Sequence, residues 1–197
     1  MKLSTGLLKY FGILSFIIAF TGIGISISLN PWFNVWENAL SDLGRIGIEN
    51  SFIFNYTLIA SSIFASIYSV YILKLLPNRI GCIGAGIYLV GTFSLAAIGL
   101  FPEGTKPHMF VSLEFFIIMT FSLFIFGISL MRSGKKLHGL ALIAIFAASI
   151  GGSIAISWPS VALLELFNIF CYFSASYFYF SVKRNKNSSR VRGKKQR

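Results

Sequence analysis

A chain of 197 residues that is 55% hydrophobic, 16% aromatic and 12% charged, with a mean hydropathy of +0.76, has too little polar surface to solvate a globule. This balance excludes a water-soluble domain and makes lipid the solvent. The net charge of +11 comes from 17 basic residues against six acidic ones, so their placement decides how the chain sits in a membrane.

In chain order, the first apolar run covers about residues 7–29, behind Lys2 and Lys9. Ser26-Ile27-Ser28 loosely imitates a signal-peptidase site, but the run from Phe11 to Leu29 exceeds the usual apolar core of a signal peptide, about 7–15 residues. It therefore reads as a retained span; its removal would leave the orientation of the rest unchanged. Next comes a loop in which Asn30 can cap a helix beginning at Pro31, with Trp32, Trp36, Ala39, Leu40 and Leu43 at helical spacing until Gly44. The expectation is a short helix lying in the membrane interface, where Trp rings suit the headgroup level.

Five further apolar runs follow at about 52–76, 80–100, 109–131, 140–158 and 161–182, each near the roughly 20 residues that cross a bilayer. The expected fold is all-α: a polytopic membrane protein forming one six-helix transmembrane domain over 1–182, with the short interfacial helix in its first outer loop. Residues 183–197 carry eight basic residues and no acidic one, which reads as a disordered cytoplasmic tail. Its expected partner is anionic lipid headgroups; no nucleic-acid binding is expected, because no aromatic residue interleaves the charges.

With six spans, Lys2, Lys9, Lys74, Arg79, Arg132, Lys135, Lys136 and the tail fall on one side, and Arg45 and Lys106 on the other. The positive-inside rule puts both termini in the cytoplasm of a multi-pass cell-membrane protein. Glu37, Asp42, Glu49 and Glu103 then lie in outer loops, with Glu114 and Glu165 one to two turns inside their helices from the same face. No acidic residue is cytoplasmic, which hints at a working outer surface.

Small residues recur on several spans: Ala144, Ala148 and Gly152, then Ala147, Gly151 and Ala155, with Gly81, Ala85, Ser61, Ser62, Ala65 and Ser66 elsewhere. These rows read as packing seams within one chain, or alternatively as a dimer interface. Cys82 and Cys171 read as small core residues rather than a disulfide or metal pair.

Ionisable residues inside spans are costly and count as functional candidates, which singles out Glu114 and Glu165. Structural roles compete with this, such as pairing with Arg45 or Lys106 or accepting from loop amides. Asn168 shares a helix face with Glu165, and Ser112 shares one with His108, whereas Glu114 cannot form a dyad with His108 along the helix. His108 and His138 fall on opposite sides, so a multi-histidine zinc site is excluded; a hard cation held by Asp42, Glu103, Glu114 and Glu165 is an alternative without specific spacing. Ser41 beside Asp42 and Ser112 after His108 are nucleophile candidates without an elbow or oxyanion motif. No internal repeat or matched pair of broken helices marks a transporter. No cofactor is indicated. The glycosylation-like triplets at Asn55 and Asn187 fall in a helix and on the cytoplasmic side.

The run Asn38-Ala39-Leu40-Ser41-Asp42-Leu43-Gly44, then Asn50 and Asn55, then Gly99-Leu100-Phe101-Pro102 with His108 and Ser112, resembles the archaeal membrane-protein family catalogued as domain of unknown function nine-nine-eight. The resemblance implies a six-helix, mostly prokaryotic or archaeal membrane protein without an established activity, more distantly similar to DRAM-like and Sfk-like eukaryotic membrane proteins. It supplies no catalytic residues. It does imply that Ser41, Asp42, Gly44, Phe101, Pro102 and His108 belong to one outer-face feature.

The functional expectation is an outward-facing cavity, walled by the 41–50 and 103–108 loops, that binds a lipid headgroup or small polar ligand through Ser41, Asp42, Arg45, Lys106, His108, Ser112, Glu114, Glu165 and Asn168. Trp32, Trp36 and Trp158 would anchor its rim. The alternatives are an intramembrane lipid-modifying enzyme, with His108 as acid or base assisted by Asp42, Glu114 or Glu165, and a small-solute or proton-coupled transporter.

Overall fold

A computed structural model of the chain describes residues 5–181, so the basic tail and Lys2 lie outside the described residues. A single turn, α1 (Thr5–Leu8), runs into α2 (Tyr10–Leu29), and together they make the first apolar span, Gly6–Leu29. The others are α3 (Ser51–Leu75), α4 (Arg79–Leu100), α5 (His108–Arg132), α6 (Lys136–Ala155) and α7 (Val161–Ser181). Spans one to five are long and apolar enough to cross a membrane, and α7 is apolar over its described portion. The chain is thus an all-α, multi-pass membrane protein. Lipid offers backbone groups no hydrogen bonds, so each span satisfies its own amides as a helix.

Consecutive helices pack antiparallel around the bundle, and α7 closes the ring loosely, resting on α6 and touching α5 and α2 only sparsely. Large apolar side chains such as Ile17, Ile63, Val90, Phe93 and Phe121 point outward, as a lipid-facing surface requires. The interior is built from Leu58, Tyr68, Ile72, Phe126 and Leu130, interleaved with buried serines. Ser15 and Ser61 bond each other across α2 and α3, and Ser66 bonds Thr92 across α3 and α4. Such interhelical bonds are worth about 0.6 kcal/mol on average in a membrane, so they specify neighbours more than they stabilise them.

Two of the expected packing rows need correction. Gly152 does seat a neighbour, since a Cβ there would meet the Phe167 ring at 2.5 Å, but Ala144, Ala147, Ala148, Gly151 and Ala155 are exposed. The reason is that α6 presents Ile143 and Phe146 to α5, and Ser149 with Gly152 to α7; these faces leave the alanine row looking outward. Cys82 is likewise exposed on α4 rather than in the core.

The first loop also departs from expectation. Its short helix is a five-residue 3-10 turn, Leu40–Gly44, and the segment from Pro31 to Asn38 is made of turns. Asn30 closes α2 instead of starting a new helix: its Nδ2 donates to the Ser26 carbonyl and its Oδ1 accepts from the Trp32 indole. The Asn34 side chain accepts from the Trp36 amide and the Asn38 side chain from the Asn34 amide, so side chains take the bonds a helix would use. The 3-10 turn is buried throughout and packs on the end of the bundle.

Close helix approach sets the α3–α4 contact. A Cβ at Gly99 would stand 2.4 Å from the Asn55 carbonyl oxygen, whereas one at Gly24 would meet nothing within 4 Å. Gly99→Ala is expected to cost about 1–3 kcal/mol through overpacking. Thermal unfolding in detergent should show a lower midpoint for Gly99→Ala and none for Gly24→Ala; equal midpoints would reject the contact.

Candidate functional site

At one end of the bundle the loop from Asn30 to Asn50 forms a cap. It is tied to three other elements. The Gly44 carbonyl accepts from Asn55 Nδ2 on α3 at 2.9 Å, and the approach is close, since a Cβ on Gly44 would meet Asn55 Oδ1 at 2.3 Å and Phe54 Cδ1 at 2.7 Å. The Ile46 amide donates to the Glu103 carbonyl in the α4–α5 loop. On the α7 side, Ser160 Oγ donates to the Val35 carbonyl, the Ala162 amide to the Asn38 carbonyl, and the Leu40 amide to Glu165 Oε2 at 2.8 Å.

Inside the cap, Asp42 accepts from the Ala39 amide through Oδ2 and pairs with the Arg45 guanidinium through Oδ1. Asp42 is buried while the Arg45 side chain is half exposed. The adjoining α4–α5 turn is organised on His108, which is buried at the start of α5. Its Nδ1 lies 2.9 Å from the Phe101 carbonyl, which can only accept, so Nδ1 carries a proton. Nε2 then faces Glu103 Oε2 at 3.1 Å and Ser112 Oγ at 3.3 Å. Sequence reasoning placed Glu103 only among possible cation ligands; its contact with His108 depends on a turn through Gly104, which has φ +93°.

The open space lies elsewhere than between these loops, which pack on each other. A groove of about 480 Å³ runs between α5, α6 and α7, where α5 and α7 stay apart. Its mouth is apolar and exposed, with Met109, Leu113, Ile117 and Ile154, so it opens sideways into the lipid. Its polar lining is Ser112, Thr120, Ser149, Ser153, Glu165 and Asn168. Most of these are bound to one another: Asn168 accepts from Ser149 and donates to Ser153, and Thr120 bonds Ser149 and Tyr172. A smaller inner cavity under the cap, about 50 Å³, includes Leu40, Ser41 and Ile23; Ser112, Phe116 and Glu165 wall both spaces.

The expected site residues therefore divide. Ser112, Glu165 and Asn168 line the groove, and Ser41 lines the inner cavity. Asp42, Arg45 and His108 hold the cap and its neighbouring turn. Lys106 is exposed at the capped end. Glu114 lines neither cavity and has no hydrogen bond or ion pair among the described residues, so the expected grouping of it with Asp42 and Glu165 does not form. The four-carboxylate cation site does not form either: Asp42, Glu103 and Glu165 each serve a different partner, and no metal-holding group of three His, Cys, Asp or Glu occurs among the described residues. Trp32 and Trp36 are exposed on the cap, while Trp158 packs tilted against Phe167 and donates to the Gly152 carbonyl.

Apolar helices with lipid-facing surfaces, a capped end and a side groove define a multi-pass membrane protein. The chain belongs to the family described as protein of unknown function (DUF998), whose model matches residues 13–182. No curated protein and no solved structure matches it.

Asp42→Ala removes the acceptor of the Ala39 amide and the partner of Arg45, at an expected cost of about 1–3 kcal/mol. Amide exchange across residues 39–46 should accelerate at least tenfold while the centres of α3 and α4 stay protected; unchanged exchange would mean that Asp42 does not hold the cap.

Proposed function

We propose that the chain binds a membrane amphiphile in the groove between α5, α6 and α7, with the apolar chain between the helices and the polar head at the Ser112 and Glu165 end beneath the cap. The observation that carries this reading is the groove itself. Its volume, about 480 Å³, falls within the roughly 300–1,000 Å³ typical of small-molecule sites, and its apolar walls hold a few convergent polar groups. A bilayer lipid reaches such a mouth without leaving hydrocarbon, whereas a soluble solute would have to cross an apolar rim.

In this reading Ser112, Glu165 and Asn168 touch the ligand, and Asp42, Arg45 and His108 act by fixing the cap. The capped end faces outward from the cell membrane and both termini face the cytoplasm. Support comes from Lys9, Lys74, Arg79, Arg132, Lys135 and Lys136, which gather at the uncapped end. The basic tail then meets anionic headgroups of the inner leaflet, and Lys106 meets headgroups at the outer surface.

One contact favours a second reading, lipid modification. When His108 Nε2 is unprotonated, the Ser112 hydroxyl donates to it, which pairs a nucleophile with a base beside the groove. Release of product from a fluorescent ester amphiphile by the wild type, but not by Ser112→Ala or His108→Gln, would be its signature.

For binding, Ile117→Trp should fill the groove and weaken retention of a fluorescent single-chain amphiphile at least tenfold at an unchanged melting temperature. Wild-type affinity in that variant would reject the groove as the site. For orientation, Lys106→Cys in a chain lacking Cys82 and Cys171 should react with a membrane-impermeant maleimide in intact cells; labelling only after lysis would reverse the topology.

A further inference from the structure

Two of the carboxylates near the cap face a basic side chain. Arg45 neutralises Asp42, and His108 faces Glu103. Glu165 has no ion-pair partner among the described residues. An ionised carboxylate held in a membrane-spanning helix is costly unless a counter-charge or several donors meet it.

Only half of this carboxylate is used. Oε2 accepts from the Leu40 amide, and Oε1 accepts no hydrogen bond among the described residues. Ser26 Oγ is the one fully enclosed side-chain polar atom among the described residues that lacks a partner, so Oε1 keeps open surface. The free space beside Glu165 is that of the groove and the inner cavity, both of which it walls. The other polar groups of the groove are committed to one another, with Asn168 donating to Ser153 and to the Leu164 carbonyl. Ser112 is engaged with His108.

Resting on the groove as a binding site, we infer that its ligand carries a cationic, ammonium-type head that sits against Glu165 while its apolar chain lies between α5, α6 and α7. An ammonium supplies both the missing charge and the donors that Oε1 lacks. A phosphate or carboxylate head in the same place would face the Glu165 carboxylate, so anionic amphiphiles are disfavoured. The expected selectivity therefore runs opposite to a headgroup site built on Arg45 and Lys106.

The test uses the full chain in phosphatidylcholine nanodiscs with three probes of equal chain length: dodecylammonium, dodecanol and dodecyl sulfate. Dodecylammonium should bind at least tenfold more tightly than the other two. Glu165→Gln, whose amide oxygen still accepts from the Leu40 amide, should abolish that preference. Equal binding of all three by the wild type, or a preference that survives Glu165→Gln, overturns the inference; if Ile117→Trp still removes binding, the groove reading stands without it. No binding of any probe by the wild type overturns both.

A second measurement needs no variant: a lipid-soluble carbodiimide should label Glu165, with dodecyldimethylammonium, a tertiary amine that cannot form an amide with the activated carboxyl, protecting at concentrations at least tenfold below dodecanol. Equal protection overturns the inference. Competition by phosphatidylethanolamine in the nanodisc would identify the head as that of a bilayer aminolipid, and its absence would identify a free lipophilic amine; either accords with the ammonium site.

Discussion

The structure depends on how the non-helical backbone of the first loop is satisfied. Helices close their own hydrogen bonds, but residues 31–50 lie over the end of a bundle in which neither lipid nor bulk water serves the buried groups. Side chains supply the missing partners. Asp42 takes the Ala39 amide, Glu165 takes the Leu40 amide, Asn55 donates to the Gly44 carbonyl and Ser160 donates to the Val35 carbonyl. Because these partners come from α3, from α7 and the residue before it, and from the cap itself, the same bonds that settle the loop also fix the capped ends of α3 and α7.

Glu165 connects this constraint to the groove. One of its oxygens is spent on the cap, and its side chain stands between the inner cavity and the space beside α5. The groove persists because α7 leans on α6 through Phe167 against Gly152 and through Asn168 against Ser149 and Ser153. Toward α5 it reaches mainly through Tyr172, whose hydroxyl bonds Thr120 and the Phe116 carbonyl. Above that tyrosine the two helices stay apart, and the apolar side chains of α5 line an opening to lipid.

Much of the capped end was legible in the sequence, and the reason is local. The contiguous run Leu-Ser-Asp-Leu-Gly and the resemblance group Asp42, Gly44 and His108 in one outer-face feature, and all three lie at the capped end; that they hold backbone there rather than a ligand is a matter of which distant amides and carbonyls they meet. The loop helix from Pro31 was not legible, because helical spacing of Trp32, Trp36 and Leu40 competes with Asn34 and Asn38 for the same amides, and only the packed loop resolves that competition. The alanine row on α6 misled for a related reason. Four-residue spacing shows which residues share a face, but not which face meets a neighbour.

By itself the sequence determined the solvent, the number of apolar helices, the segregation of charge between the two ends and the list of polar groups near one end. These follow from composition and from runs long enough to cross hydrocarbon, both of which are properties of contiguous residues. Tertiary structure alone decided that Arg45 goes to Asp42 and Glu103 to His108, that Glu114 stands apart, and that the open space lies between α5, α6 and α7 rather than between the loops. Those outcomes depend on how far helices distant in the chain approach one another, and that distance is set by side-chain packing across the bundle.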